Sequence, residues 1–285
     1  MAGLITSPAN PRLKALRALR ARKHRTAQGA SFAEGIHVVL QALEHDAPVR
    51  ALVVAPELLT SDVGRAAVER FESAGGEVLR LSAAAFASVS GRDNPTGLGA
   101  VVELVHHSLA DLEPARAAPV AWLHEVASPG NLGAVVRTAD ALGCAGVIVS
   151  GASADPYDPA AVKASMGALF ARPVVVVPDE QEVLGWCARR GIAVVATSAH
   201  APTELGALPT PEPCTVLFGS EAHGLPRHLL AGADLALRIP MRGSVSSLNL
   251  AVAAGIVLYE LSAGMTSEMN ASSRARPSEG QDTTR

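Results

Sequence analysis

Ile239-Pro240-Met241-Arg242-Gly243-Ser244-Val245-Ser246-Ser247-Leu248-Asn249-Leu250 packs a strand end, a glycine-bearing loop and a helix start into one short stretch. Two earlier segments share this build: Pro129-Gly130-Asn131-Leu132-Gly133-Ala134-Val135-Val136-Arg137-Thr138-Ala139-Asp140, and Leu217-Phe218-Gly219-Ser220-Glu221-Ala222-His223-Gly224-Leu225. Each follows an apolar run of strand length. Polar, glycine-bearing loops gathered at strand ends are how an open α/β sheet builds a ligand site.

The surrounding pattern supports such a sheet. Apolar runs at Val120–Leu123, Gly146–Val149, Pro173–Val177, Ile192–Thr197 and Thr215–Phe218 read as strands. Helices are predicted near Leu132–Leu142, Pro159–Phe170, Glu180–Arg190 and Ser247–Leu261. Short apolar strands alternating with helices imply a parallel sheet covered on both faces. Residues 119–264 form this domain. Residues 107–118 (Leu-Ala-Asp-Leu-Glu-Pro-Ala-Arg-Ala-Ala within them) read as a linker, and polar 265–285, without apolar periodicity, as a disordered tail.

Residues 1–106 form a smaller α/β unit. Asn10-Pro11 begins an amphipathic helix expected to reach Arg25, with Leu13, Leu16 and Leu19 on its apolar side. A helix at Ile36–Glu44, a strand at Val49–Val54, a helix at Asp62–Ala74 and strands at Glu77–Leu81 and Leu98–Val105 follow. Arg92-Asp93-Asn94-Pro95-Thr96-Gly97 is turn chemistry.

The net charge of −3 argues against global attraction to nucleic acid. Its distribution argues the other way. Arg12, Lys14, Arg17, Arg20, Arg22, Lys23 and Arg25 all precede Glu34, the first acid in the chain. Arg12, Lys14, Arg17, Arg20 and Arg25 are therefore the candidate phosphate contacts. Cys144, Cys187 and Cys214 are widely spaced, with no CxxC and no His/Cys cluster, so neither a disulfide framework nor a metal site is expected. No apolar run is long enough to span a membrane and no signal-peptide pattern opens the chain, which points to a soluble, cytoplasmic protein. Gly97-Leu98-Gly99 precedes a strand and lacks the third glycine of a dinucleotide fingerprint, and there is no G-x-S-x-G elbow.

In this order and register, the three motifs resemble those of the SpoU (TrmH) family of RNA ribose 2′-O-methyltransferases, of the SPOUT class. The resemblance implies a C-terminal SPOUT-type parallel sheet with a trefoil knot, and a small L30e-like α/β RNA-binding domain before it. It implies S-adenosylmethionine as cofactor, held by Leu217, Gly219, Ile239, Met241 and Leu248. It implies a homodimer, compatible with the wide apolar surface of the last helix (Leu248, Leu250, Val252, Ile256, Val257, Leu258). The site residues it implies are Arg137, Asn131, Glu221, Ser247 and Asn249. A guanidinium is effectively always protonated, so Arg137 suits a phosphate contact or the charge developing on the 2′-oxygen better than base work. Asn131 positions the ribose or Arg137, or caps its helix. Glu221 pairs with Arg137 or a cofactor group, or is a loop carboxylate, and Ser246 or Ser247 is the expected cap of the last helix. His223 reads as a loop histidine.

Within the family, the full N-terminal domain with its basic helix resembles the rRNA-directed group, which implies 23S rRNA as substrate, with tRNA as the alternative. The Ala-, Gly- and Arg-rich composition suggests a high-GC bacterium and the antibiotic-resistance branch of the family. A non-catalytic RNA-binding module on the same fold is the competing class, and the presence of all five site residues counts against it.

Overall fold

The computed structural model describes residues 3–116, 118–207 and 211–274. Asn10 caps the first helix, α1 (Pro11–Ala18), its side chain accepting from the Arg12 N–H, and Pro11 supplies the fixed φ of a first turn. The helix expected to reach Arg25 stops at Ala18, and a second helix, α2 (Arg22–Gln28), follows after a short break. The break has a physical cause. Arg25 Nη1 donates to the carbonyls of Leu19 (3.0 Å) and Arg20 (2.8 Å), which takes the acceptors a continuous helix would use.

β1 (Ala30–Glu34), α3 (Ile36–Glu44), β2 (Val49–Val54), α4 (Asp62–Ser73), β3 (Glu77–Arg80), α5 (Ala83–Val89) and β4 (Leu98–Glu103) complete the N-terminal domain. Its sheet runs β1-β4-β2-β3, with β4 antiparallel to β1 and β2, and β2 parallel to β3. β1 and α5 escape sequence reasoning. Leu13 and Leu16 of α1 pack with Phe86 and Ala85 of α5 and with Val53 and Leu79 of the sheet.

The C-terminal domain contains β5 (Val120–His124), α6 (Pro129–Ala141), β6 (Gly146–Ser150), α7 (Pro159–Ser165), α8 (Ala168–Ala171), β7 (Val174–Val177), α9 (Glu180–Arg190), β8 (Ala193–Thr197), β9 (Thr203–Glu204), β10 (Cys214–Phe218), α10 (Arg227–Ala231), β11 (Leu235–Arg238) and α11 (Leu250–Arg274). The sheet order is β7-β6-β5-β10-β8-β11-β9 and every pair is parallel. β5, β6 and β10 are buried along their whole length, as a sheet covered on both faces requires. All three cysteines are buried. Burial pushes the Cys144 and Cys214 thiols up to about 12 and the Cys187 thiol to about 11.

Several expectations change here. The helix expected over 159–170 divides at Met166 and Gly167, both left-handed (φ 53° and 98°). A Cβ on Gly167 would lie 2.4 Å from Cβ of Gln41 in α3, so the division lets the two domains approach. The expected linker 107–118 is not a free tether. Ser108 and Asp111 form a reciprocal cap around a short 3₁₀ turn, and Leu109 and Leu112 are buried against Trp122 and Ile148. The expected tail is helical as far as Arg274, while residues 275–285 lie outside the described residues.

α6 and α7 pack closely together. A Cβ on Gly133 would lie 2.2 Å from the Ala161 carbonyl oxygen. Overpacking of this kind costs about 1–3 kcal/mol. Gly133→Ala should lower the urea-unfolding free energy by about that amount, and an unchanged midpoint would contradict this close approach.

Candidate active site

The three glycine-bearing segments meet at the carboxyl ends of β5, β10 and β11. The first loop leaves β5 under strain: Glu125, a non-glycine residue, has φ 55°. It is held there by hydrogen bonds from Glu125 N to Ser150 O (3.0 Å) and from Val126 N to Ser153 Oγ (3.0 Å). Beneath it, Ser150 Oγ accepts from Trp122 Nε1 at 2.7 Å and lies 2.9 Å from His124 Nδ1, which fixes the strand end. Ser128 caps α6 by accepting from Asn131 N. Asn131 is therefore not the cap: it sits in the first helical turn with its side chain free to reach outward.

The second segment is a tight turn. Ser220 and Gly224 exchange both backbone hydrogen bonds (3.1 and 2.9 Å), and His223 N donates to Ser220 Oγ. Gly219 has a reason to be glycine other than ligand approach. A Cβ there would lie 2.3 Å from the Gly224 carbonyl carbon, so the turn closes only over a bare Cα. Gly243 does stand in open space.

In the third segment the helix cap is Asn249, in place of Ser246 or Ser247. Asn249 Oδ1 accepts from the N–H groups of Ala251 (2.9 Å) and Val252 (3.4 Å) as α11 begins.

The carboxamide and carboxylate groups then join all three. Asn131 Nδ2 donates to Glu221 Oε1 at 2.8 Å, and Asn249 Nδ2 donates to Asn131 Oδ1 at 3.1 Å. The other Glu221 oxygen accepts from Ala127 N at 3.3 Å, at the positive end of α6. Burial works to raise the Glu221 pKa. The Asn131 amide and the backbone N–H groups of Glu221, Ala127 and Ser128 outweigh it, leaving the carboxyl below its ordinary value. Glu221 is thus bound to Asn131 and not to Arg137.

Arg137 is exposed on α6 and makes no hydrogen bond or ion pair among the described residues. It lines a groove between α6 and α11 with Thr138, Ala251, Val252 and Gly255. Ser247 is exposed and lacks a hydrogen-bond partner among the described residues. Of the apolar candidates, Leu217 is fully buried at the end of β10, Ile239 and Leu248 are half-buried, and Met241 is 37% exposed. Among the described residues, no backbone hydrogen bond occupies residues 239–248. Half-buried apolar side chains beside free backbone groups fit the face and edge of an adenine ring. No group of three or more potential metal ligands exists among the described residues.

The basic N-terminal segment is less uniform than its sequence implies. Arg25 is 1% exposed and ion-paired to Asp155 at 2.6 Å, so it is not an RNA contact: its donors are consumed inside the protein. Arg12 pairs with Glu77 at 2.7 Å, Arg17 donates to Ser88 Oγ and Pro8 O, and Arg20 donates to Val89 O and Ser90 O. Lys14, Arg22 and Lys23 are exposed and without a partner among the described residues. Sequence reasoning singled out only Lys14 of these three, because charge spacing does not show which cations the fold itself uses.

A profile of the SpoU rRNA Methylase family matches residues 119–259, and one of the MRM3-like substrate binding domain matches residues 10–100. The 23S rRNA (uridine(2479)-2′-O)-methyltransferase of Streptomyces viridochromogenes is 35% identical over 246 residues, which is 84% of this chain and 84% of that protein. The 23S rRNA (guanosine(2553)-2′-O)-methyltransferase RlmP of Bacillus subtilis (strain 168) is 30% identical over 260 residues, 90% of this chain and 98% of that protein. The crystal structure of the SpoU methyltransferase AviRb from Streptomyces viridochromogenes, in complex with the cofactor AdoMet, superposes with a TM-score of 0.82. It is 33% identical and covers 90% of this chain and 99% of that one.

A carboxylate with a depressed pKa keeps its stabilising bonds above the ordinary range and loses them as pH falls through the lowered value. The Asn131 side-chain amide protons should therefore titrate by NMR with a midpoint below 4.5, the ordinary value for glutamate. A midpoint at or above 4.5 would contradict the hydrogen-bonded geometry of Glu221.

Proposed function

The chain belongs to the SpoU rRNA Methylase family, and on that premise we propose that it transfers a methyl group from S-adenosylmethionine to a ribose 2′-hydroxyl of 23S rRNA. The observation that carries this reading is the junction of Asn131, Glu221 and Asn249, on the helix whose next turns present Arg137, without a partner among the described residues, to the α6–α11 groove. The two 23S rRNA enzymes that match most of the chain favour ribosomal RNA over tRNA.

Ile239, Met241 and Leu248 would wall the adenine, and backbone groups of Leu217, Gly219, Ile239 and Met241 would meet its edge. The bound cofactor supplies an electrophilic methyl for in-line displacement. The chain's own work is orientation and charge. Asn131 has one amide proton on Glu221 and its oxygen on Asn249, so its second amide proton is the one that would meet a ribose oxygen. Glu221 stays ionised at neutral pH and both its oxygens accept hydrogen bonds, so it is an anchor for Asn131 and a poor base. Arg137 retains its donors for the phosphate beside the target or for charge developing on the 2′-oxygen. Ser247 and Asn249, just before α11, would frame the ribose from that side.

Contact with RNA falls to the exposed cations Lys14, Arg22 and Lys23, with the remaining donors of Arg12, Arg17 and Arg20. The exposed apolar side chains of α11, Val252 (51%), Ile256 (40%) and Tyr259 (62%), flank the Arg137 groove and suit a two-fold partner helix. The homodimer, the trefoil threading of a sheet in which β10 lies between β5 and β8, and a cytoplasmic location belong to the same proposal. No helix among the described residues is long and apolar enough to cross a membrane.

Incubated with labelled S-adenosylmethionine, the protein should label purified 23S rRNA and not tRNA, and the reverse would overturn the substrate assignment. Arg137→Ala should lower transfer by about 10²–10³-fold, the usual cost of one donor to a developing oxyanion, with cofactor affinity by calorimetry unchanged. Full activity would remove Arg137 from the mechanism. Changing Lys14, Arg22 or Lys23 to Gln should each reduce the salt-dependence slope of RNA binding by about 0.7–0.9. An unaltered slope for all three would place the RNA elsewhere.

A further inference from the structure

Arg25 is the one completely buried arginine among the described residues, and all three of its side-chain nitrogens donate. Nε and Nη2 donate to Asp155 Oδ2 at 3.1 and 2.6 Å, Nη2 lies 3.8 Å from Asp158 Oδ2, and Nη1 binds Leu19 O and Arg20 O. A buried ion pair is weak evidence for stability, because an apolar pair of similar volume often does as well. What such a pair supplies is a fixed geometry between the elements it joins. Here those elements are the basic helices of the N-terminal domain and the loop 151–158 of the C-terminal domain.

That loop is not remote from the site. Ala154 N donates to Val126 O at 2.8 Å, and Ser153 Oγ accepts from Val126 N at 3.0 Å while donating to Ser150 O at 2.7 Å. Val126 precedes Ala127, whose N–H binds Glu221, and Ser128, which caps the helix carrying Asn131 and Arg137. Two hydrogen-bonded contacts joined by short stretches of backbone, 153–155 and 126–127, thus lead from α2, where Arg22 and Lys23 are exposed, through Arg25 and Asp155 to the carboxylate that anchors Asn131. Asp155 is itself held, its Oδ1 accepting from Tyr157 N at 2.9 Å, and Ser31 Oγ of β1 donates to Tyr157 O at 3.1 Å.

We infer that Arg25 and Asp155 are positioning residues for methyl transfer: they set the RNA-gripping face of α1 and α2 at a fixed distance and angle from Asn131, so that gripping the RNA presents the target ribose. This rests on the functional reading above. A misplacement of about 1 Å at a reacting centre can cost about 10²-fold in rate, whereas RNA held by phosphate contacts on one domain is indifferent to where the other domain lies.

The test is a single-turnover comparison of the full chain with the paired replacement Arg25→Met/Asp155→Leu, which fills the same space without charge, and with Asp155→Asn, which keeps an acceptor for Arg25. Four quantities are read: melting temperature, cofactor affinity, affinity for 23S rRNA, and the rate constant for methyl transfer at saturating RNA and cofactor. The paired variant should melt with the wild type and bind both ligands normally, yet transfer methyl about 10–100-fold more slowly, with Asp155→Asn between the two. A wild-type rate constant in the folded paired variant overturns the inference. So does a rate loss that follows melting temperature or RNA affinity across the variants, since that is what a purely structural pair would give. Failure of the wild type itself to methylate 23S rRNA, with cofactor and RNA both bound, overturns the functional reading first.

Discussion

Asn131 accepts a hydrogen bond from a residue 118 positions away and donates one to a residue 90 positions away, and the carboxyl edge of the large sheet is organised around that side chain. Asn249 is at once its partner and the cap of α11, so the last helix cannot begin elsewhere without releasing Asn131. Glu221 is at once its partner and a ligand of the α6 N-terminus, so the 220–224 turn and the 125–131 loop share one carboxylate. Each such bond contributes only about 0.5–1.5 kcal/mol net. Their value is geometric: three loops from three strands hold one amide in one orientation.

Rigid packing beneath makes that orientation reproducible. Gly133 brings α6 against the Ala161 carbonyl, and Gly219 lets the 220–224 turn close on itself. By contrast, residues 241–247 are exposed and free of backbone hydrogen bonds among the described residues. The site therefore combines a fixed floor, Asn131 and its partners, with an open rim carrying Met241, Gly243 and Ser247. Such a division suits chemistry in which a cofactor has to enter and a long polymer has to be presented.

Much of the C-terminal domain was legible because its strands are fully buried and read as uninterrupted apolar runs. β5, β6 and β10 differ from expectation by one residue at most, and α9 matches at both ends, where Asp179 and Gly191 mark the cap and the left-handed stop. The N-terminal domain was less legible. β1 carries Ser31 and Glu34 within a short mixed stretch, and α5 is mostly alanine, with Phe86, Ser88 and Val89 too few to set a period. Where tertiary contacts override local pattern the sequence misleads: Gly167 divides a helix to admit Gln41, and Arg25 takes the Leu19 and Arg20 carbonyls just past the end of α1. The identities of Asn131, Glu221 and Asn249 were visible as motif residues, but their partnership was not. The sequence leaves Glu221 open between Arg137, a cofactor group and a plain capping or loop carboxylate, and hydrogen bonds across 90 residues leave no trace in spacing.

In the proposed reaction the methyl group goes onto a ribose oxygen. Alkaline cleavage of RNA requires a free 2′-hydroxyl, so a 2′-O-methylated nucleotide survives as part of a dinucleotide. The direct measurement is alkaline hydrolysis of 23S rRNA after incubation with the protein and methyl-labelled S-adenosylmethionine. Label recovered in an alkali-resistant dinucleotide is the predicted result. Label recovered in mononucleotides, as base methylation would leave it, would rule out transfer to the ribose.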